Sequence, residues 1–173
     1  MRLLLIATAA LALSPIATAS SAQSTLAAAV ADTANRTPDN VKLDESRKPA
    51  QLLQFFGLKS GMQVLDVFGA NKYWSEIMGP VVGPKGHVTV WQPTQFLTDK
   101  NRGPFEEFAG KAKNVSLISS PFEAPDLPAA KFDFALINMD YHDTYWESAE
   151  RKIPRQDPNA WLKRSAAQPG RRS

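Results

Sequence analysis

Gly57-Leu58-Lys59-Ser60-Gly61-Met62-Gln63-Val64-Leu65-Asp66-Val67-Phe68 is the stretch on which the fold turns. A glycine-bounded turn leads into a short apolar run with β-branched residues, and the run ends in a lone acid. A run this short, apolar on consecutive residues, predicts a strand buried on both faces. Buried strands of that kind belong to parallel sheets, whose crossovers are helices, so helices are expected on either side of it.

Both neighbours carry a helical pattern. Upstream, residues 41–56 set Lys42, Asp44, Glu45, Arg47 and Lys48 on a charged face and Leu52, Leu53, Phe55 and Phe56 on an apolar one, with Gly57 as the stop. Pro49 is expected to open a fresh helix there, since its missing N–H is harmless only in a first turn. Downstream, residues 73–82 read as a helix and Gly83-Pro84-Lys85-Gly86 as a turn into a second strand, His87–Trp91. Residues 96–111 read as an amphipathic helix interrupted at Gly103-Pro104, Val115–Ser119 as a third strand and Phe132–Asn138 as a fourth. This alternation predicts an α/β fold: a Rossmann-like, doubly wound parallel sheet with flanking helices on both faces.

The whole chain of 173 residues is 43% apolar and 21% charged, the balance of an ordinary globular protein of one domain. It has no cysteine, which excludes a disulfide scaffold, a thiolate zinc site and a thiol nucleophile. Its two histidines, His87 and His142, are too few for a histidine-built metal cluster, so no metal is expected. Any chemistry falls to carboxylates, amides, hydroxyls or a bound cofactor. The formal charge of +3 is a tail property: the last 23 residues hold seven Lys and Arg against one Asp, the first 150 hold 13 against 16 acids. An acidic body without an interleaved basic and aromatic stripe argues against a nucleic-acid partner.

Residues 1–22 have the build of a secretory signal peptide: Arg2, an apolar run from Leu3 to Leu13, Pro15, then small residues. Ala17-Thr18-Ala19 and Ser20-Ser21-Ala22 both satisfy the small-x-small cleavage rule, and the cut after Ala22 is favoured. The 11-residue run is too short to span about 30 Å of hydrocarbon, so stable membrane insertion is not expected and the mature chain is placed in the periplasm or outside the cell. Residues 23–40 read as an N-terminal arm, a short helix or loose segment followed by a polar linker. Residues 41–163 read as the α/β domain, with a helix starting over 158–163, and residues 164–173 as a basic, disordered tail.

Ligands of such a sheet sit beyond the carboxyl ends of its strands. That directs attention to Asp66 through Tyr73, Gln92-Pro93, Ser119 through Glu123, and Asn138 through Asp143. Asp66 suits a cap on the following loop or a ligand contact, and Lys72 suits an anion or plain solvent. His142-Asp143 is the one pair suited to proton transfer, because histidine titrates near neutrality and a carboxylate can orient its ring. Asn138 and Asp140 are polar groups beside it, and Tyr73, Trp74, Tyr141, Tyr145 and Trp146 read as core and rim.

Gly57 through Asp66 resembles the entry to the first motif of the class I S-adenosylmethionine-dependent methyltransferases, and the resemblance runs from around residue 47 to residue 163. It is nearest to a group of secreted, predicted methyltransferases with four recurring features. They stand here as Arg47-Lys48-Pro49, Asp66-Val67-Phe68, Val82-Gly83-Pro84-Lys85-Gly86 and Tyr141-His142-Asp143. The resemblance implies S-adenosylmethionine as cofactor, lined by Asp66, Phe68, Gly69, Gln92 and Glu123, the last toward the adenine amino group. It implies Asn138, His142 and Asp143 as the catalytic set facing a small-molecule acceptor, with methyl transfer chiefly by proximity and orientation.

The sequence departs from the family pattern at three places. The Asp-x-Gly-x-Gly-x-Gly spacing falls on Asp66, Phe68, Ala70 and Lys72, leaving the off-register Gly69. The acid expected at the end of strand two is Gln92, which has a single acceptor oxygen. Only three residues follow Ala167-Gln168-Pro169-Gly170, the turn after which strands five to seven are expected. The domain therefore reads as truncated, lacking its last strands, with an open edge beside strand four that a homo-oligomer could cover. These departures set up an alternative function, a non-catalytic, vestigial binding protein on a truncated methyltransferase fold. A basic-tailed interaction module resting on residues 164–173 is a third.

Overall fold

The structure, a computed structural model, describes residues 25–128, 131–155, 157 and 159–160. The expected signal peptide, the basic tail and most of the helix expected over 158–163 lie outside the described residues.

Four strands, β1 (Gln63–Val67), β2 (His87–Pro93), β3 (Val115–Ser120) and β4 (Phe134–Ile137), form one sheet in the order β3-β2-β1-β4, with every pairing parallel. Alternation along each strand divides the apolar side chains between two faces. Val64, Val88, Val90 and Leu136 belong to one core, and Leu65, Val67 and Trp91 to the other.

Three helices, α1 (Pro49–Phe55), α2 (Tyr73–Val82) and α3 (Asp99–Ala112), cover the first face. They contribute Leu53, Tyr73, Trp74, Ile77, Met78 and Phe105, joined by Leu26 and Ala29 from helical residues 25–31. None of these helices packs on the second face, where helices were also expected. Phe122 and Ile153, with Phe96, Leu127 and Phe132 beside them, close it from the connections that follow β2, β3 and β4. Those connections bring enough aromatic surface to do a helix's work of burial.

α1 opens at Pro49 as the first-turn rule requires, and α2 occupies the limits read from its sequence. The expected break in α3 does not occur: the helix runs through Gly103-Pro104. Pro104 deprives only the carbonyl of Lys100, an exposed first-turn residue, and Gly103 has no Cβ to meet the proline ring. α3 also starts at Asp99 rather than residue 96, because Thr94–Phe96 close a separate 3-10 turn and Thr98 caps the helix, its N–H donating to Asn101 Oδ1 at 2.8 Å. β2 runs two residues past its expected end, which places Gln92 inside the strand opposite Ser119.

The segment before α1 is packed rather than loose. The guanidinium of buried Arg36 forks onto Asp44 (2.7 and 2.8 Å), and Tyr73 donates its hydroxyl to the same carboxylate at 2.9 Å. Glu76, buried on α2, accepts from the Thr37 N–H (3.2 Å), the Thr37 hydroxyl (2.5 Å) and Asn40 Nδ2 (3.0 Å). A carboxylate taken out of water needs such partners, so the first turn of α2 and the arm require one another.

Candidate functional site

β1 leads through α2 to β2 and on to β3 on one side, and the chain then returns to place β4 on the other side of β1. The winding direction therefore reverses between β1 and β4. A crevice outside the carboxyl ends of the strands opens at such a reversal. The residues there are Asp66 and the loop 68–72 from β1, and Asn138 through Asp143 after β4.

Asp66 is 1% exposed, and its Oδ2 has no hydrogen-bond partner. Burial, and secondly the nearby Asp140, push its pKa up to about 8. Asp140 is half-buried and raised to about 6 by burial and by Asp143, against the opposing pull of His142 and Arg47. Asn138 Oδ1 is a second buried oxygen without a partner. The crevice is thus rich in lone pairs and short of donors.

The loop after β1 is held from the sheet. Phe68 stands in the left-handed region (φ 63°), where its N–H donates to the Trp91 carbonyl at 2.8 Å. Its ring is packed edge-on to Trp91 and Phe96, 5.5 and 6.1 Å between centroids, and beside Phe122. Phe68 is therefore anchored in the second core instead of lying open to a ligand. Gly69 passes over Asp66 so closely that a Cβ would overlap the carboxylate. Gln92 is buried, and its Oε1 accepts the Ala70 N–H at 3.2 Å, so its one acceptor group serves the loop. Lys72 points back along α2, its Nζ 4.0 Å from Glu76.

Glu123 is exposed and accepts from Gln95 Nε2 at 2.9 Å; Gln95 Oε1 in turn accepts the Phe122 N–H. On the β4 side, Met139 is exposed with φ 68°, and residues 141–145 form a 3-10 turn. His142 Nε2 lies 3.3 Å from Asp143 Oδ1, so these adjacent residues do meet, on a ring that is 79% exposed. Tyr141 and Tyr145 stack edge to face beside them, 5.8 Å between centroids.

The structure therefore brings Asp66, Gly69, Gln92 and Ala70 together and sets Asn138, Asp140, His142 and Asp143 beside them. It also adds Arg47, which the sequence marks as part of a charged helical face and of a recurring tripeptide. Its guanidinium lies over the Tyr73 ring, 4.3 Å from the centroid, close enough to act on Asp140. Nothing in its local sequence singles it out, because its place depends on the arm folding back over α2. Among the described residues no group of histidines and acids could hold a metal ion.

No family model matches the sequence, and no curated protein matches it. Among solved structures the chain is similar to a SAM-dependent methyltransferase from Aquifex aeolicus, with a TM-score of 0.56 at 23% identity over 83% of this chain and 66% of that one. It also aligns with a protein-L-isoaspartate O-methyltransferase, TM-score 0.42 at 23% identity over 53% of this chain and 29% of that one. A third is fibrillarin from Aeropyrum pernix in complex with natively bound S-adenosyl-L-methionine, TM-score 0.41 at 15% identity over 50% of this chain and 38% of that one. The fold assignment rests on the first of these and on the sheet itself. A parallel sheet in the order β3-β2-β1-β4, with α2 between β1 and β2 and α3 between β2 and β3, gives this chain a Rossmann-like fold, shared with that Aquifex aeolicus structure.

Proposed function

We propose that the chain is an exported methyltransferase-like protein that binds S-adenosylmethionine between the loop 68–72 and residues 138–143 and acts on a small molecule. The observation that carries this reading is the buried, unpartnered carboxyl of Asp66 at the reversal of the sheet, with Asp140 and the orphaned Asn138 oxygen beside it. Oxygen acceptors without donors fit a ligand bearing an ammonium and a sulfonium, and Gly69 lets backbone approach closely. When bound, the cofactor supplies an electrophilic methyl group on that sulfonium.

The chain's own residues then divide the work. Asp140 offsets the ligand's positive charge, Asp66 offers it an acceptor oxygen, and Arg47, near Asp140, is a donor for a carboxylate. With the Nε2 proton of His142 directed to Asp143, Nδ1 is left to take a proton from the acceptor. The cationic and apolar character of residues 1–22 supports export to the periplasm or beyond.

A second reading, a binding protein without turnover, is favoured by Gln92, whose only acceptor oxygen is engaged by Ala70. Calorimetric titration of S-adenosylmethionine and S-adenosylhomocysteine into the purified chain separates the two. Saturable micromolar binding, lost in Asp66→Ala, supports the first reading; a folded chain with no heat of binding up to millimolar cofactor overturns it.

A further inference from the structure

We propose that Asn40 is a positioning residue of this site, which sets the shape of the loop after β1 from the N-terminal arm; this rests on the reading that the loop contacts the ligand. Asn40 is buried, and its Nδ2 directs one hydrogen to the carbonyl of Asn71 (3.2 Å) and the other to Oε2 of Glu76 (3.0 Å). Asn71 ends the 3-10 turn Gly69–Asn71, the part of the loop that passes over Asp66. Glu76 lies one turn into α2, the helix that the loop enters.

One nitrogen thus ties the turn to the helix that follows it. Asparagine suits this position because aspartate of the same length has no donor, serine has a single one, and glutamine is a methylene too long. Further supports of the loop come from the sheet. The Phe68 N–H is held by the Trp91 carbonyl and the Ala70 N–H by Gln92, both on β2. Asn71 Oδ1 also accepts the Tyr73 N–H at 3.0 Å, so without Asn40 the loop keeps that tie and its bonds to β2 but loses its attachment to the arm. The Asn71 carbonyl, followed by Lys72 in the left-handed region (φ 70°), would then lose its side-chain tether.

Thr37 provides the control. Its hydroxyl and N–H also bind Glu76, but it makes no bond to the loop. Asn40→Ala and Thr37→Val therefore both weaken the attachment of the arm to Glu76, while only the first unties Asn71. Native-state hydrogen exchange over residues 68–73, together with titration of S-adenosylmethionine, is measured on the full chain and on both variants. Loss of one net hydrogen bond is worth about a kcal/mol, or roughly fivefold in an opening equilibrium. Asn40→Ala is expected to speed exchange in the loop by about that factor and to weaken cofactor binding by a similar one; Thr37→Val is expected to lower thermal stability and leave both unchanged. If Asn40→Ala does not fold, Asn40→Leu, similar in shape and without donors or charge, carries the same comparison. Equal loop exchange in the Asn40 and Thr37 variants overturns the proposal. Faster loop exchange confined to the Asn40 variant, in a chain that binds no cofactor, upholds the positioning role and removes the cofactor reading alone.

Discussion

The carboxyl group of Asp66 lies directly beneath the Cα of Gly69, so close that a methyl group on residue 69 would overlap it. Asp66 is buried at the end of β1 beneath the loop. The glycine is therefore required by the strand's own acid, whatever ligand the loop meets.

Gly69→Ala is expected to destabilise the fold by roughly 1–3 kcal/mol, the usual cost of forcing extra volume into a packed site. In Asp66→Ala the obstruction is gone, so the double variant should lose less than the two single losses added together. Urea unfolding of the four proteins measures the cycle, and strictly additive losses would show that the contact is not the cause.

Stability should fall as pH rises through the range in which these acids ionise in the folded protein. In the unfolded chain an aspartate titrates at about 3.9. In the native state burial and the neighbouring Asp140 hold Asp66 at about 8, and burial and Asp143 hold Asp140 at about 6. The folded protein thus retains protons that the unfolded chain has released. Their stabilising contribution is whole below the unfolded pKa and is lost as pH rises through the folded values. Asp66→Asn cannot ionise, so relative to wild type it should gain stability between about pH 5 and pH 8. A difference that stays flat across that range, in parallel urea titrations, would rule out Asp66 as the source.

Phe68 combines a buried ring with a backbone conformation that favours glycine. Phe68→Ala is expected to cost about 3–5 kcal/mol through the lost ring. Glycine normally ranks below alanine by roughly 0.5–1 kcal/mol inside regular structure. Here the order should invert, with Phe68→Gly at least as stable as Phe68→Ala, because only glycine escapes the left-handed strain. Chemical denaturation of the pair decides it; a more stable alanine variant would mean that the conformation carries no strain.

Gln92→Glu keeps an oxygen for the Ala70 N–H and adds a charge at the end of β2. Charge-assisted hydrogen bonds are about twice as strong as neutral ones. Affinity for S-adenosylmethionine should therefore rise several-fold, at some cost in stability for burying a carboxylate. Calorimetry on the variant reads the first effect and thermal unfolding the second; unchanged affinity would place the cofactor's hydroxyl groups elsewhere.

The parts of the fold legible in the sequence were those governed by neighbours within a few residues. The apolar run ending at Asp66 had to be a buried strand, Pro49 had to open a helix, and Tyr73–Val82 had the length and punctuation of one. The strand ends also named most of the crevice, since ligands of a reversing sheet gather there. Local rules misjudged Gly103-Pro104, where a glycine before the proline and an exposed first-turn carbonyl made continuation cheap.

What the sequence by itself determined, then, was the set of strands and helices and the parallel sheet they imply, because periodicity and turn chemistry act over short range. Only the tertiary structure decided how the site's polar groups are used. Ala70 meets Gln92 across 22 residues, Asn40 meets Asn71 across 31, and Thr37 meets Glu76 across 39. Each side chain had several plausible partners by type, and which one it found was settled by strand order and by the arm folding back over α2. Burial then left Asp66 Oδ2 without a partner at all, a state that no local pattern of residues encodes.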